Sequence, residues 1–291
     1  YPTNNALIWD CIKESHRLLS QLSGELSGYT YRDYMKSGKR TFYKINNTKG
    51  NKRKELFVNQ LITFTKCINQ VSNAIKKKSP YNGLKADCII KLLEEFLPIM
   101  EQVYDVSYRK EVKGETIKNE EKIFSIYERH TDIIVKGGRN VVFGHKVDLC
   151  SGKSNLVLNC EVYRGNPSDT NLYQPMLEKI SDEYSATPRD WTTDGGYASL
   201  DNQVYAKDRG IENIVFNKVV GSLKNQVSSL NMETRLKKWR SGMEAVISNI
   251  KRGFQLFRCN WKGWEHFVTK VLWSVIAYNI RVMTALIVQR V

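Results

Sequence analysis

Apolar residues recur every three or four positions through the first hundred residues, a spacing that predicts helices. Ile8, Cys11, Ile12, Ser15, Leu18, Leu19 and Leu22 share one face of a segment from about Asn4 to Ser23, and Thr3 stands where it can cap the start. Three more helices are predicted, from Arg32 to Asn46, Lys54 to Lys77 and Leu84 to Tyr104. The breaks KGNKRK and SPYNG, which carry glycine or proline, separate them.

Near Ile133 the period changes. VVFGHKVDL and LVLNCEVY carry β-branched residues on either side of the polar run SGKSN, Ser151 to Asn155, which predicts a β-hairpin. A helix from Leu172 to about Tyr184, the short run DWTTD, a helix from Leu200 to Arg209 closed by Gly210, and the strand IENIVF then form a βαβ crossover. The region from about Thr131 to Phe216 therefore reads as α/β, followed by a basic helical part. Its most apolar stretch, VLWSVIAYNI from Val271, is bounded by Lys270 and Arg281. That is shorter than the ~20 residues needed to cross a bilayer, so it reads as a buried helix, and no membrane partner is expected.

Composition narrows the partners. With 291 residues, 41% hydrophobic and 26% charged, the chain can bury one large core or two smaller ones, which excludes a disordered tail. Its 45 Lys and Arg against 30 Asp and Glu give a formal charge of +15, which concentrates polyanions around it, nucleic acid first. The excess is local: thirteen cations, among them Arg53, Lys54, Lys76, Lys77 and Lys78, stand against two acids between Tyr31 and Pro80. Tyr31, Tyr34, Phe42 and Tyr43 interleave with them, as on a surface that meets phosphates and stacks on bases. The competing reading is an ordinary solvated helical face. The six cysteines show no Cys-x-x-Cys pair and read as free thiols of a reducing cytoplasm, and YPTNNALIWD has no secretory-signal pattern. His16, His130, His145 and His266 share no metal-ligand spacing.

Two acids carry the candidate chemistry. Asp194 ends the run DWTTD, and Gly195 and Gly196 then let the backbone turn sharply, which presents the carboxylate at the carboxyl edge of a sheet, where α/β proteins gather ligands. Asp before Gly-Gly is also common turn chemistry. On a helix from Arg240 to Lys251, Arg240, Glu244 and Lys251 are spaced by four and seven and share a face. Such a trio is either a helix salt bridge or a metal-binding carboxylate flanked by cations that hold a phosphodiester.

These segments together resemble a known family. The DGGYAS turn, the Arg240, Glu244, Lys251 spacing, FGHKVDL, EVYRGNPSD, KRGFQLFRCNWKGWEHF and YPTNNALIWD are similar to DDE transposases of bacterial insertion sequences, in the IS4-like superfamily. The resemblance implies an RNase H-like α/β core, a mixed sheet flanked by helices, over residues 131–291 with C-terminal helices. It also implies a basic all-helical insertion over residues 1–130 that contacts DNA. Asp194 matches the family's second acid and Glu244 its third, both as catalytic metal ligands for Mg²⁺ or Mn²⁺. Arg240, Lys251 and Arg252 match the basic partners around the glutamate, whereas Lys237 stands where such proteins often carry a tyrosine.

In the family the first acid lies on the first core strand, just upstream of a segment like YPTNNALIWD. The chain is accordingly expected to begin after that strand and to lack the first catalytic Asp. Asp10, Asp132 and Asp148 are the in-chain substitutes to weigh, each with an ordinary polar position as the alternative. The implied activity is metal-dependent phosphodiester hydrolysis and strand transfer at element ends. The implied partners are double-stranded DNA, as terminal inverted repeats and target, and a second chain in a homodimer, in the bacterial cytoplasm at the nucleoid. A catalytically inactive RNase H-like DNA-binding remnant is the rival reading.

Overall fold

In a computed structural model, which describes residues 3–79, 82–136, 140–217 and 223–288, the chain divides into two compact units, Tyr1–Thr131 and Asp132–Val291. The first is helical: α1 (Asn4–Glu25), α2 (Met35–Asn46), α3 (Asn51–Ile75) and α4 (Leu84–Ser107), followed by one wide helical turn to Lys113. Thr3 caps α1 by accepting a hydrogen bond from the Ala6 amide at 3.2 Å. The apolar faces meet in one cluster that includes Ile8, Leu19, Phe57, Phe64 and Leu93, each fully buried and each contributing about 1.5–3 kcal/mol of transfer free energy. α2 begins three residues later than its periodicity suggests. Arg32 lies outside the helix, its amide donating to Gln70 Oε1 at 2.6 Å, and Asp33 accepts from the Met35 amide at 2.6 Å.

The second unit contains β1 (Asp132–Lys136), β2 (Asn140–Gly144), β3 (Lys146–Ser151), β4 (Val157–Tyr163), α5 (Asp169–Tyr184), β5 (Asp190–Asp194), α6 (Leu200–Asp208), β6 (Asn213–Asn217), α7 (Leu230–Gly253) and α8 (Trp264–Val288). VVFGHKVDL is not one strand. Gly144, at φ +154°, divides it, so that VVFG pairs back onto β1 while KVDLCS pairs antiparallel with β4. The βαβ crossover forms as the pattern predicts, β5 and β6 pairing parallel with Asp194 opposite Asn217. Among the described residues these strands make three two-stranded sheets rather than one mixed sheet.

Two apolar clusters support the second unit. Tyr173, Leu177, Ile214 and Phe216 pack α5 and α6 against β6, while Val157, Val246, Ile250, Val275 and Tyr278 pack α7 and α8 against β4. The expectation of a buried final helix needs correcting. α8 is 25 residues, long and apolar enough to cross a membrane by length and composition. It buries only the stripe of Val271, Ser274, Val275 and Tyr278.

Candidate active site

β5 and α7 carry the two acids. Asp194 is the last residue of β5, and its carboxylate caps the tight turn that follows, Oδ1 accepting from the Gly195 amide at 2.9 Å. Glu244 lies midway along α7, whose start Ser229 caps through the Met232 amide. Arg240, one turn before Glu244, connects them: its guanidinium is 2.9 Å from Asp194 Oδ2 and 3.5 Å from Glu244 Oε1. The Arg240 side chain is 13% exposed, whereas those of Asp194 and Glu244 are 53% and 72% exposed. One sheltered cation thus holds two solvent-facing carboxylates, which keeps like charges together without mutual repulsion dominating. Lys251 and Arg252 are exposed in the last turn of α7.

Behind Asp194 the turn is held from two sides. Tyr197 donates its hydroxyl to Asp148 Oδ1 at 2.8 Å, joining the residue after Gly196 to the middle of β3. Asp148 is buried, and burial pushes its carboxyl above the usual aspartate range; its Oδ2 has no hydrogen-bond partner among the described residues. On the other side Asp169, paired with Lys146 at 2.6 Å, packs against Gly196 so closely that a Cβ there would overlap its carboxylate. The alternative weighed for Asp148, an ordinary solvated polar position, is not what the structure shows, since the side chain is buried. No local signal marks this: period-two alternation in KVDLC puts Asp148 on the face of Lys146 and Cys150, opposite Val147 and Leu149, a face that reads as polar.

The other sequence candidates lie elsewhere. Asp10 pairs with Lys13 within α1, and Asp132 accepts from the Gly165 amide and stands 3.3 Å from His145 Nδ1. His145 lies between β2 and β3, and its ring packs against Trp264 and Phe267. Ser199 caps α6 through the Asn202 amide at 3.1 Å. The six cysteines are free. In the helical unit Arg53 pairs with Glu111 and Lys78 with Glu94, both at 3.0 Å, while Lys54, Lys76 and Lys77 are exposed. Of the four aromatics interleaved there, Phe42 stacks on Trp9, Tyr31 hydrogen-bonds His16 Nδ1 through its hydroxyl at 3.0 Å, and Arg32 lies over Tyr34; Tyr43, 53% exposed, faces solvent among Lys39, Arg40 and Lys44.

The donors near Asp194 are carboxylate oxygens, hard ligands that suit Mg²⁺ or Mn²⁺ in kind. Their number is two, and among the described residues no group of three or more His, Cys, Asp or Glu is placed to hold a metal ion.

Fold and geometry together define an α/β protein whose candidate site is a carboxylate pair on a strand end and a helix. A family model, Transposase DDE domain, matches residues 135–280, half of the chain and all of that site, and the chain belongs to this family. Comparisons with curated proteins and with solved structures give no match. Membership implies transposase activity on a DNA substrate, in a family that uses divalent metal ions.

Proposed function

We propose that this chain is the transposase of a bacterial insertion sequence of the IS4-like type, acting on nucleoid DNA in the cytoplasm. In this reading it hydrolyses a phosphodiester at each terminal inverted repeat and transfers the freed 3′ end to target DNA, with two chains working as a pair. The observation that carries the reading is the Asp194, Arg240, Glu244 constellation, which lies inside the matched segment.

Asp194 and Glu244 would hold Mg²⁺ or Mn²⁺, which when bound supplies Lewis-acid stabilisation of the attacking and leaving oxygens. Arg240 keeps the two carboxylates together beforehand, and its guanidinium fork suits a phosphodiester oxygen pair. Lys251 and Arg252 extend the positive face along α7. The exposed cations of the helical unit, Lys54, Lys76 and Lys77 with Lys39, Arg40 and Lys44 of α2, would track the DNA backbone, and Tyr43 would stack. Arg53 and Lys78, already paired with acids, would contribute less.

The core we propose is RNase H-like, with β3 and β5 flanking the place of one further strand that carries the third acid. Three features support this. The outer edge of β4 is met at Val157 by Asn279, with hydrogen bonds of 2.9 and 2.8 Å, and that of β6 by Gln226, which leaves β3 and β5 with unpaired edges among the described residues. Tyr197 bonded to Asp148 brings the end of β5 beside β3. Trp191 Nε1, Thr192 Oγ1 and Thr193 Oγ1 on β5 and Asp148 Oδ2 on β3 are buried without partners among the described residues. Such groups cost about 1–3 kcal/mol each, which a neighbouring strand could recover.

A second reading, an inactive DNA-binding remnant, draws on the absence of a third carboxylate beside Asp194 and Glu244 among the described residues. Labelled DNA bearing the element's own ends, incubated with the protein and Mn²⁺, separates the two. Cleaved and joined products support the transposase; tight, salt-sensitive binding without any cleavage supports the remnant.

A further inference from the structure

We propose that the outward stripe of α8 is the surface through which two copies of this chain pair. Trp273, Ile276, Ile280, Met283 and Ile287 follow one another at three, four, three and four residues and are each between 44% and 65% exposed. That repeat is the spacing with which apolar side chains of two helices interlock. It lies opposite the buried stripe, so α8 is apolar on two sides and its own unit covers one of them.

The area suits a second copy. Five large side chains about half exposed present on the order of 500 Å² of contiguous apolar surface, near the upper end for the largest patch on a monomer. With the exposed Leu272 and Val288 beside it, the patch approaches the ~800 Å² that each partner of a standard interface buries. A straight stripe of this kind is self-complementary about a two-fold axis, because the same side chains meet on both copies. The stripe is also uncharged. Lys270 lies over the Trp261 ring and Arg281 over the rings of Phe254 and Tyr278, so both cations of the central helix are directed to their own chain.

A lipid bilayer is the competing occupant, and the inner face argues against it. Asn279 bonds both backbone groups of Val157, the Tyr278 hydroxyl donates to the Asn155 carbonyl at 3.1 Å, and Ser274 Oγ donates to the Phe254 carbonyl at 3.1 Å. Drawing α8 across a membrane would break all of these in a medium without water to replace them.

This inference rests on the paired-chain part of the reading above and on none of its chemistry, so its test needs neither DNA nor metal. Sedimentation of the 291-residue chain should show a dimer at about 10 µM that tightens as salt screens the +15 charge of each copy. Trp273→Glu combined with Ile280→Glu should weaken pairing at least ~100-fold with unchanged circular dichroism. Leu84→Glu, at an exposed apolar position on α4, should leave it intact. If the double variant misfolds, Met283→Arg carries the same test. A wild-type chain that stays monomeric at about 50 µM, or a dimer that survives these α8 substitutions, overturns the proposal. So does flotation of the wild type with phosphatidylcholine vesicles that the same substitutions abolish, which would assign the stripe to a membrane surface.

Discussion

The helical unit and the α/β unit organise their interiors differently. In the first, α1 to α4 close one continuous apolar cluster, and its positive charge lies outside it on exposed lysines and arginines. In the second, the described apolar residues form two separate clusters. Buried polar atoms without partners among the described residues occur in both units, at Asn5, Gln60 and Ser107 in the first, but on β3 and β5 they gather close to the carboxylate pair. The difference teaches where to look for function. A unit that closes one apolar core can devote its surface to holding a polyanion, whereas unpaired strand edges with orphaned polar groups beside a pair of acids mark a place where something else can bind or insert.

The sharpest division of labour concerns Glu244. Glu244→Gln should lower metal-dependent DNA cleavage by ~10³-fold or more, while DNA affinity stays within about 2-fold because the basic surfaces remain. Parallel cleavage and binding assays check this, and equal loss in both would break the separation between the units.

Next is the core of the helical unit. Phe64 is fully buried, so Phe64→Ala should cost about 3–5 kcal/mol in urea denaturation of that unit. A cost under about 1 kcal/mol would mean that the cluster is loosely packed.

Glycine substitutions make a smaller contrast. Gly196→Ala should cost about 1–3 kcal/mol, because the new Cβ meets an Asp169 carboxylate held by Lys146. Gly24→Ala, in α1 with nothing within 4 Å, should instead stabilise by about 0.5–1 kcal/mol. Thermal melts of the two variants should therefore shift in opposite directions.

Reading the chain by its periodicity recovers the helical unit well, because helix faces are local. Ile8, Leu19 and Phe64 are buried where a 3.6-residue repeat puts them. The sheets are harder. VVFGHKVDL reads as a single apolar run, and only the backbone at Gly144 shows that it serves two hairpins. The acids are legible singly, Asp194 by its turn and Glu244 by its helix face. The Arg240 to Asp194 contact spans forty-six positions, and the Tyr197 to Asp148 bond forty-nine, and no local pattern carries either. Within α8 the difficulty is reversed: its second apolar stripe is plain in the sequence, yet only the structure shows which stripe is covered.

The smallest expected effect is a pH dependence. Burial holds the Asp148 carboxyl above the ordinary aspartate range, so the native chain keeps that proton to higher pH than the unfolded chain does. Its contribution is fully present below the unfolded value and is lost as pH rises through the folded value. Asp148→Asn should flatten this decline in urea midpoints measured above about pH 4, and an unchanged slope would mean that another group causes it.

In the proposed reading Asp194 and Glu244 act together as ligands of one divalent ion. Electron paramagnetic resonance of Mn²⁺ titrated into the chain tests it without any DNA chemistry. The expected result is a bound Mn²⁺ signal whose affinity falls at least ~10-fold in both Asp194→Asn and Glu244→Gln. The same Mn²⁺ affinity in either variant as in the unaltered chain would contradict it.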